Sequence, residues 1–356
     1  MKKVIINGGT LVAGEVYGVQ RNALELLKEL DHIAEKGSIQ ILVPANGVRQ
    51  LEFDHIEVKT ASESGDGFLS KFRWNHLIFP RYVKRQNAVG VDMTLSLPLW
   101  GCEAVFICDC ITEHYPQNAV TVKEKLGRRF YMIRAGRSVS HCKEIFTISD
   151  FSKRDIMETY HCNGGKISVI PCAWQHFLRI EEDAAIIEKL GLGKKPFFFS
   201  LGSRYYHKNF KWIAEAAKQN PQYDFVVAGT RKLNTSDREL ENSGLANLIF
   251  TGYIKDEEIK ALMKACRAFI QPSLYEGFGI PPMEAMSVGT SCIIADAASL
   301  PEIYEDSAWY IDPLKYDDID MDKIMEKQTG SLSWVLDRYS WEHSAQMLWD
   351  KLKILL

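Results

Sequence analysis

A chain of 356 residues has room for about two domains of roughly 150 residues each. Its 46% hydrophobic and 25% charged content are those of an ordinary globular protein, which excludes collagen, fibre and wholesale disorder. Lys plus Arg total 43 against 46 for Asp plus Glu, a formal net charge of −3, so the overall charge gives no reason to expect a nucleic-acid partner.

The opening MKKVIINGG has two lysines but only a short apolar run, Val4 to Ile6. That run is far below a signal-peptide core or the ~20 residues of a membrane span, and a cytoplasmic location is expected. Val4 to Ile6 reads as a first buried strand and Gly8, Gly9, Gly14 and Gly18 as a loop. Val19 to Leu30 reads as an amphipathic helix with Ala23, Leu24, Leu27 and Leu30 on its apolar face. Short apolar runs at Gln40 to Val43, Ala104 to Cys108 and Glu144 to Ser149 continue the alternation that parallel sheets require. A second series follows the hydrophilic stretch Arg179 to Lys195, with strands expected at Phe197 to Leu201, Phe225 to Ala228, Leu248 to Thr251, Ala268 to Gln271 and Ser291 to Ala295. The expected organisation is an N-terminal domain over 1–171, a linker over 172–195 and a C-terminal domain over 196–340. A final helix over 341–356 has an apolar stripe suited to packing back on the first domain. Two doubly wound α/β sheets in one chain predict a ligand in the cleft between the carboxyl ends of their strands.

Between Lys71 and Ser140 eleven basic residues stand against five acidic ones, a local surplus of +6. Such a surplus fits a solvated basic face or one turned toward an anionic acceptor or a phospholipid surface. The eight cysteines lie mostly in apolar runs without paired CxxC spacing and read as reduced core residues rather than zinc ligands. Asp318, Asp320 and Asp322 alternate as a metal-binding DxD would, but they precede a helix that acidic residues help to start, and no metal is expected there. The early glycines lack GxGxxG spacing, which argues against a dehydrogenase.

The most informative stretch is residues 272–303, PSLYEGFGIPPMEAMSVGTSCIIADAASLPEI. Gly277 and Gly279 let backbone amides approach a ligand closely, and Pro281 and Pro282 suit the first turn of a helix whose N-terminus attracts anions. Glu276 precedes that helix and Glu284 lies early within it, so both carboxylates can face one ligand, and neither looks placed for core packing. By themselves they equally fit a loop charge and a charge favourable to the helix dipole.

This segment resembles the C-terminal domain of retaining GT-B glycosyltransferases of family four, glycosyl transferases group 1, whose signature is two glutamates separated by seven residues around GFG. The resemblance covers nearly the whole chain: YGVQRNALELL (17–27), FTISDFSKRDI (146–156), KISVIP (166–171), LGSRYYHKN (201–209) and TGYI (251–254) occur in the family's order. It implies two Rossmann-like domains of the GT-B class and a nucleoside diphosphate sugar as substrate, with no cofactor. It places Glu276 near the reacting sugar carbon and Glu284 on the nucleotide ribose, with amides of Gly277, Phe278, Gly279 and Ile280 on sugar or phosphate. Lys208 matches the family's phosphate-binding lysine. Arg204 is displaced by one residue from the usual arginine position, which Ser203 takes. Gly18 and Arg21 resemble the N-terminal glycine loop and the helix beyond it, and the backbone near Gly252 and Tyr253 would meet the base.

One departure stands out in VFICDCITEHYP, where the family commonly has His then Asp and this chain has Cys108 then Asp109. His114 lies six residues on, in the same loop. The implied activity is metal-independent, retaining transfer of a hexosyl group to a hydroxyl of a glycan or lipid-linked acceptor in cell-surface polysaccharide synthesis, with peripheral contact to the inner membrane face. In a front-face displacement the leaving phosphate takes the acceptor proton, Glu276 orients, and domain closure excludes water. The alternatives are a nucleotide-sugar-binding subunit that lost turnover with the histidine and an epimerase on the same architecture. Candidate acceptor contacts are the aromatics Phe72, Trp74, Phe79, Tyr82 and Trp100.

Overall fold

The computed structural model describes residues 2–12, 18–47, 50–61, 67–202, 205–229 and 244–356, with Phe68 described by its backbone alone. The chain divides into two compact units. The N-terminal unit comprises residues up to Glu113, Val122–Cys172 and Trp341–Leu356; the C-terminal unit comprises His114–Thr121 and Ala173–Ser340.

In the N-terminal unit seven strands form one parallel sheet: β1 (Val4–Asn7), β2 (Ile39–Pro44), β3 (Glu57–Ala61), β4 (Val89–Asp92), β5 (Ala104–Phe106), β6 (Glu144–Thr147) and β7 (Ile167–Val169). Their order is β3-β2-β1-β4-β5-β6-β7, with Val4 aligned to Ile39 on one side and to Val89 on the other. The chain runs outward from β1 to β3, then crosses back to lay β4 on the other side of β1. β1 and β2 are buried along their whole length, as a central parallel strand covered on both faces must be. The helix Gly18–Ile33 buries Ala23, Leu24, Leu26, Leu27 and Leu30, and the helix Trp341–Leu355 packs against it.

The C-terminal unit repeats the plan with six parallel strands: β8 (Phe197–Leu201), β9 (Asp224–Ala228), β10 (Leu248–Gly252), β11 (Ala268–Gln271), β12 (Cys292–Ala295) and β13 (Trp309–Ile311). The order β10-β9-β8-β11-β12-β13 again reverses direction after the third strand, so β8 and β11 are neighbours. One face of this sheet is closed by Trp212, Ile213, Ala216 and Ala217 of the helix Phe210–Gln219, packed with Phe198, Phe225 and Ile270. Asp320 caps the short helix Met321–Met325 by accepting from the amides of Asp322 and Lys323, which accounts for the acidic run there.

Residues 173–195, expected as a linker, are instead built into the C-terminal unit. Lys260 donates to the carbonyls of Phe177 (3.0 Å) and Ile180 (2.6 Å), the Asp183 amide donates to Glu257, and the helix Ala185–Lys189 packs on Asp256–Ala265. The polar side chains of this stretch are largely exposed, while its backbone is tied to a neighbouring helix. β3, β4, β7 and β13, absent from the strands expected above, are short or carry polar residues on a sheet edge. Eight cysteines are free thiols, six of them buried.

Candidate active site

Ligands of doubly wound sheets sit at the carboxyl ends of the strands where the order reverses. In the C-terminal unit that point lies between β8 and β11, and the segments leaving these two strands carry Lys208 and Glu276.

After β8 the chain turns at Gly202, whose φ of +152° disfavours a side chain; a Cβ there would lie 3.6 Å from both Cδ and Cε of Lys208. The lysine stem therefore runs along the glycine. A one-turn 3₁₀ segment, Tyr206–Lys208, ends at Asn209, which is left-handed (φ +56°) and buried. Its side-chain amide donates to the carbonyls of Pro272 (3.0 Å) and Pro313 (2.8 Å) and accepts from the Tyr316 hydroxyl (3.0 Å). A buried amide with its hydrogen bonds satisfied fixes the turn to the strand exits of β11 and β13.

Lys208 Nζ then reaches Glu276 Oε1 at 2.7 Å. Glu276 is only 7% exposed, and the Ser299 hydroxyl donates to its carbonyl at 2.9 Å. Burial pushes its carboxyl up, but the Lys208 charge, the His207 ring and the Lys208 hydrogen bond together outweigh burial and hold it below the ordinary carboxylate range. The result is an ionised acceptor beside an ammonium. An anion arriving at Lys208 would leave Glu276 to accept from hydroxyl groups.

Glu284 is also buried, at 6% exposure, in the helix Ile280–Ser287. That helix starts at Gly279 with φ +86°, where a Cβ would come 2.6 Å from Leu300, and the Tyr304 hydroxyl donates to the Gly279 carbonyl. His176 Nε2 donates to Glu284 Oε1 at 2.8 Å. Both glutamates, expected outside the core, are thus buried because each has a nitrogen partner. His176 escaped the sequence reading because it falls in the stretch taken for a linker; a histidine inside the apolar CAWQHF was the available signal. Phe278 is buried edge-on against Tyr339, with ring centres 5.3 Å apart, so what it can offer a ligand is backbone. Gly277 and Ile280 flank it at the start of the helix. Tyr253 follows β10 and is 74% exposed. Ser203 and Arg204 lie outside the described residues.

His114–Thr121 belongs to this same unit. The His114 ring lies 5.7 Å from Tyr275, and the Tyr115 ring lies 5.9 Å from Tyr275 and 5.6 Å from His207.

The N-terminal unit holds a different set at its own reversal point, between β1 and β4. Asn7 Nδ2 donates to Asp92 Oδ1 (3.2 Å) and to Asn75 Oδ1 (2.9 Å), and Asn7 Oδ1 accepts from Trp74 Nε1 (2.8 Å). The Leu97 amide donates to the second oxygen of Asp92 at 3.0 Å. Burial pushes Asp92 up to about 6, with the Leu97 amide and Asn7 pulling against it. Apart from Trp74, none of these residues stands out in the sequence, since a lone Asn or Asp at a strand end leaves no motif.

Cys108 is 4% exposed and burial raises its thiol well above the usual range, so it supplies no proton and no thiolate at neutral pH. Asp109 accepts from the Ile111 amide at 3.0 Å and so starts the turn Ile111–His114. Gly18 opens its helix with nothing within 4 Å of where a Cβ would sit, and Arg21 lies on the first turn. Of the aromatics considered for the acceptor, Trp74 and Phe79 are core residues, whereas Trp100 is half exposed. Among the described residues no group of His, Cys, Asp and Glu is arranged to hold a metal ion.

Residues 182–326 match the family model described as glycosyl transferases group 1. O-antigen chain mannosyltransferase B of Escherichia coli is 25% identical over 258 residues, covering 69% of this chain and 65% of that protein. O-antigen chain mannosyltransferase RfbU of Salmonella typhimurium is 27% identical over 226 residues, covering 61% and 59%. The chain thus spans less than two thirds of the length of these relatives. Among solved structures, sucrose-phosphate synthase from Thermosynechococcus elongatus has a TM-score of 0.75 at 15% identity, over 100% of this chain and 99% of that one. Anabaena HepE in complex with UDP and glucose has a TM-score of 0.70 at 15% identity, over 99% and 100%. Identities this low carry the fold alone, which in both is the paired parallel-sheet arrangement. Residues 182–326 are thus similar to the glycosyl transferases group 1 family, and the chain has the GT-B fold.

Proposed function

We propose that the chain is a retaining hexosyltransferase that moves a sugar from a nucleoside diphosphate to a hydroxyl of a glycan or lipid-linked acceptor during surface polysaccharide synthesis. The relatives' names point to mannose as the first sugar to test. The observation that carries the reading is the ion pair between Lys208 and the buried Glu276 at the β8–β11 reversal. Cleaving the bond between the anomeric carbon and the phosphate oxygen leaves negative charge on the diphosphate, and a fixed ammonium stabilises it without metal. The acceptor oxygen bonds the same carbon on the same face, and its proton passes to the departing phosphate oxygen. Glu276 orients the sugar hydroxyls throughout. Asn7, Asn75 and Asp92 supply the N-terminal unit with donors and acceptors suited to an acceptor's hydroxyl groups.

The same reading includes a bilayer contact. The helix Val122–His141 exposes Val122, Leu126 and Ile133 with Arg129 and Arg137 on the same face, and Leu69, Lys71, Arg73 and Trp100 of the same unit are exposed as well. Apolar side chains interleaved with cations suit an anionic membrane surface. Among the described residues no helix is long and apolar enough to cross a membrane.

The test is a thermal-shift screen of UDP-, GDP- and dTDP-sugars in EDTA, followed by nucleoside diphosphate release with acceptor and by the anomeric configuration of the product. Release with retention supports the reading. A shift without release in any acceptor points to the binding-subunit alternative, and inversion or a metal requirement overturns the mechanism.

A further inference from the structure

His207, whose ring helps to hold Glu276 ionised, is itself held by Asn118. His207 is 4% exposed, immediately precedes Lys208 and is boxed by the Tyr205 ring, stacked at 5.7 Å, and by Tyr115. Asn118 comes from the His114–Thr121 segment of the same unit. Its Oδ1 accepts from the Tyr206 backbone amide at 3.0 Å, and its Nδ2 lies 3.0 Å from His207 Nδ1. The chemistry of these two contacts fixes their direction. A backbone N–H only donates, so the oxygen of Asn118 must face Tyr206. The nitrogen that remains also only donates, so His207 Nδ1 must be an unprotonated acceptor with the ring proton on Nε2.

We infer that Asn118 is a positioning residue: its side chain clamps the 206–208 turn at two points and holds Lys208 on Glu276 only while His207 Nδ1 is unprotonated. Asn209 anchors the turn on its other side through Pro272 and Pro313, and the His207 carbonyl accepts from the Leu274 amide at 2.7 Å. Protonating Nδ1 sets two donors against each other. Turning the Asn118 amide over to accept from His207 would set its NH₂ against the Tyr206 amide. No orientation of asparagine satisfies both partners once the ring is charged. Among the described residues the charged and titratable groups beside the ring are Lys208, Glu276, Tyr115 and Tyr205; the Lys208 charge opposes protonation of the ring and the Glu276 carboxylate favours it. The inference deepens the proposed function and rests on it only for the consequence that donor affinity follows the clamp.

Three variants test it in the full chain. Asn118→Asp offers oxygens to Tyr206 and to a protonated His207 alike, Asn118→Leu removes both bonds, and His207→Asn keeps an acceptor near the Nδ1 position without a titrating ring. The first measurement is the ¹⁵N shifts of the His207 ring across pH 5–8, assigned by their loss in His207→Asn. Wild type should show the Nε2–H tautomer, and Asn118→Asp should titrate about 1–2 pH units higher, the effect of a carboxylate within hydrogen-bond reach. The second is UDP and GDP affinity over the same range. Wild type should weaken as the ring protonates, Asn118→Asp should hold its affinity to lower pH relative to its ring titration, His207→Asn should be flat, and Asn118→Leu should be about tenfold weaker throughout, equivalent to one broken contact at 1.4 kcal/mol per decade. An Nδ1–H tautomer in wild type, or identical ring titrations in wild type and Asn118→Asp, overturns the clamp. If no form binds UDP or GDP, the proposed function suffers and the ring shifts still decide the clamp.

Discussion

The two units place opposite chemistry at the same topological point. Where β8 meets β11, a buried carboxylate is held ionised by a lysine 2.7 Å away. Where β1 meets β4, a buried carboxylate has amide partners, and burial drives it up to about 6. The fold fixes where a ligand goes; the partner given to each carboxylate decides which ligand. Under the proposed function, the Lys208 ammonium would meet an anionic phosphate in the C-terminal site. Under the same proposal, the network of Asn7, Asn75 and Asp92 would offer the N-terminal unit groups that both donate and accept, suited to sugar hydroxyls.

The sharpest way to break this contrast is to remove the ion pair. Lys208→Ala and Glu276→Gln should each lower turnover by about a hundredfold or more, the usual size of losing one preorganised transition-state stabiliser. Initial rates of nucleoside diphosphate release measure this, with circular dichroism as the folding control. Near wild-type rates in both would remove the pair from the site.

The contrast also predicts opposite pH dependences of stability. Asp92 folds with its pKa raised from 3.8 to about 6, so the folded state keeps a proton that the unfolded chain has lost. Stability should therefore fall as pH rises through that window, by up to about 3 kcal/mol from a shift of roughly two pH units. Glu276 has the reverse sign: its pKa is lowered, so its contribution is present above 4.5 and is lost as pH falls further. Urea unfolding between pH 4 and 7 should show the Asp92 slope in wild type and a flatter curve in Asp92→Asn. An unchanged slope in that variant would mean another group titrates there.

Next in size is the second glutamate. His176→Leu strips Glu284 of its buried partner and should cost about 2 kcal/mol, the penalty of an unsatisfied buried acceptor. Glu284→Gln, which still offers an oxygen to Nε2, should cost less. Equal losses in the two variants would assign the effect to packing of the imidazole rather than to the hydrogen bond.

How far these features could be read in the sequence follows from the kind of interaction involved. β8 and β11 were found residue for residue because buried parallel strands are continuous apolar runs. Lys208, Glu276 and Glu284 stood out through a glycine-rich local pattern and a family resemblance. Their burial did not, because it depends on partners 68 and 108 residues away. Asn118, 89 residues before His207, and Asp92, 85 after Asn7, are visible only once the chain has folded. The stretch 172–195, expected as a linker, misled for a related reason: its exposed side chains read as solvated, while the carbonyls of Phe177 and Ile180 that tie it down accept from Lys260, some eighty residues on.

The smallest predicted effect extends the comparison to the outer surface, since the +6 surplus between Lys71 and Ser140 falls chiefly in the N-terminal unit. Leu126 and Ile133 are exposed on the helix Val122–His141, one on each side of Arg129. Changing both to serine removes apolar insertion while leaving every cation in place, and should weaken flotation with phosphatidylglycerol vesicles by about tenfold, which is 1.4 kcal/mol. Thermal stability should stay within about 0.5 kcal/mol of wild type, because exposed side chains away from caps and networks contribute little to folding. Replacing Arg129 and Arg137 with glutamine should instead lower binding in proportion to the anionic lipid fraction and reduce its salt dependence, at roughly 1 kcal/mol per charge. If the serine pair binds like wild type while the glutamine pair does not, the face meets the membrane through charge alone. The N-terminal unit would then read anions by its surface and hydroxyl groups at the carboxyl ends of its central strands, and the C-terminal unit would still be the one whose buried carboxylate is paired with a lysine.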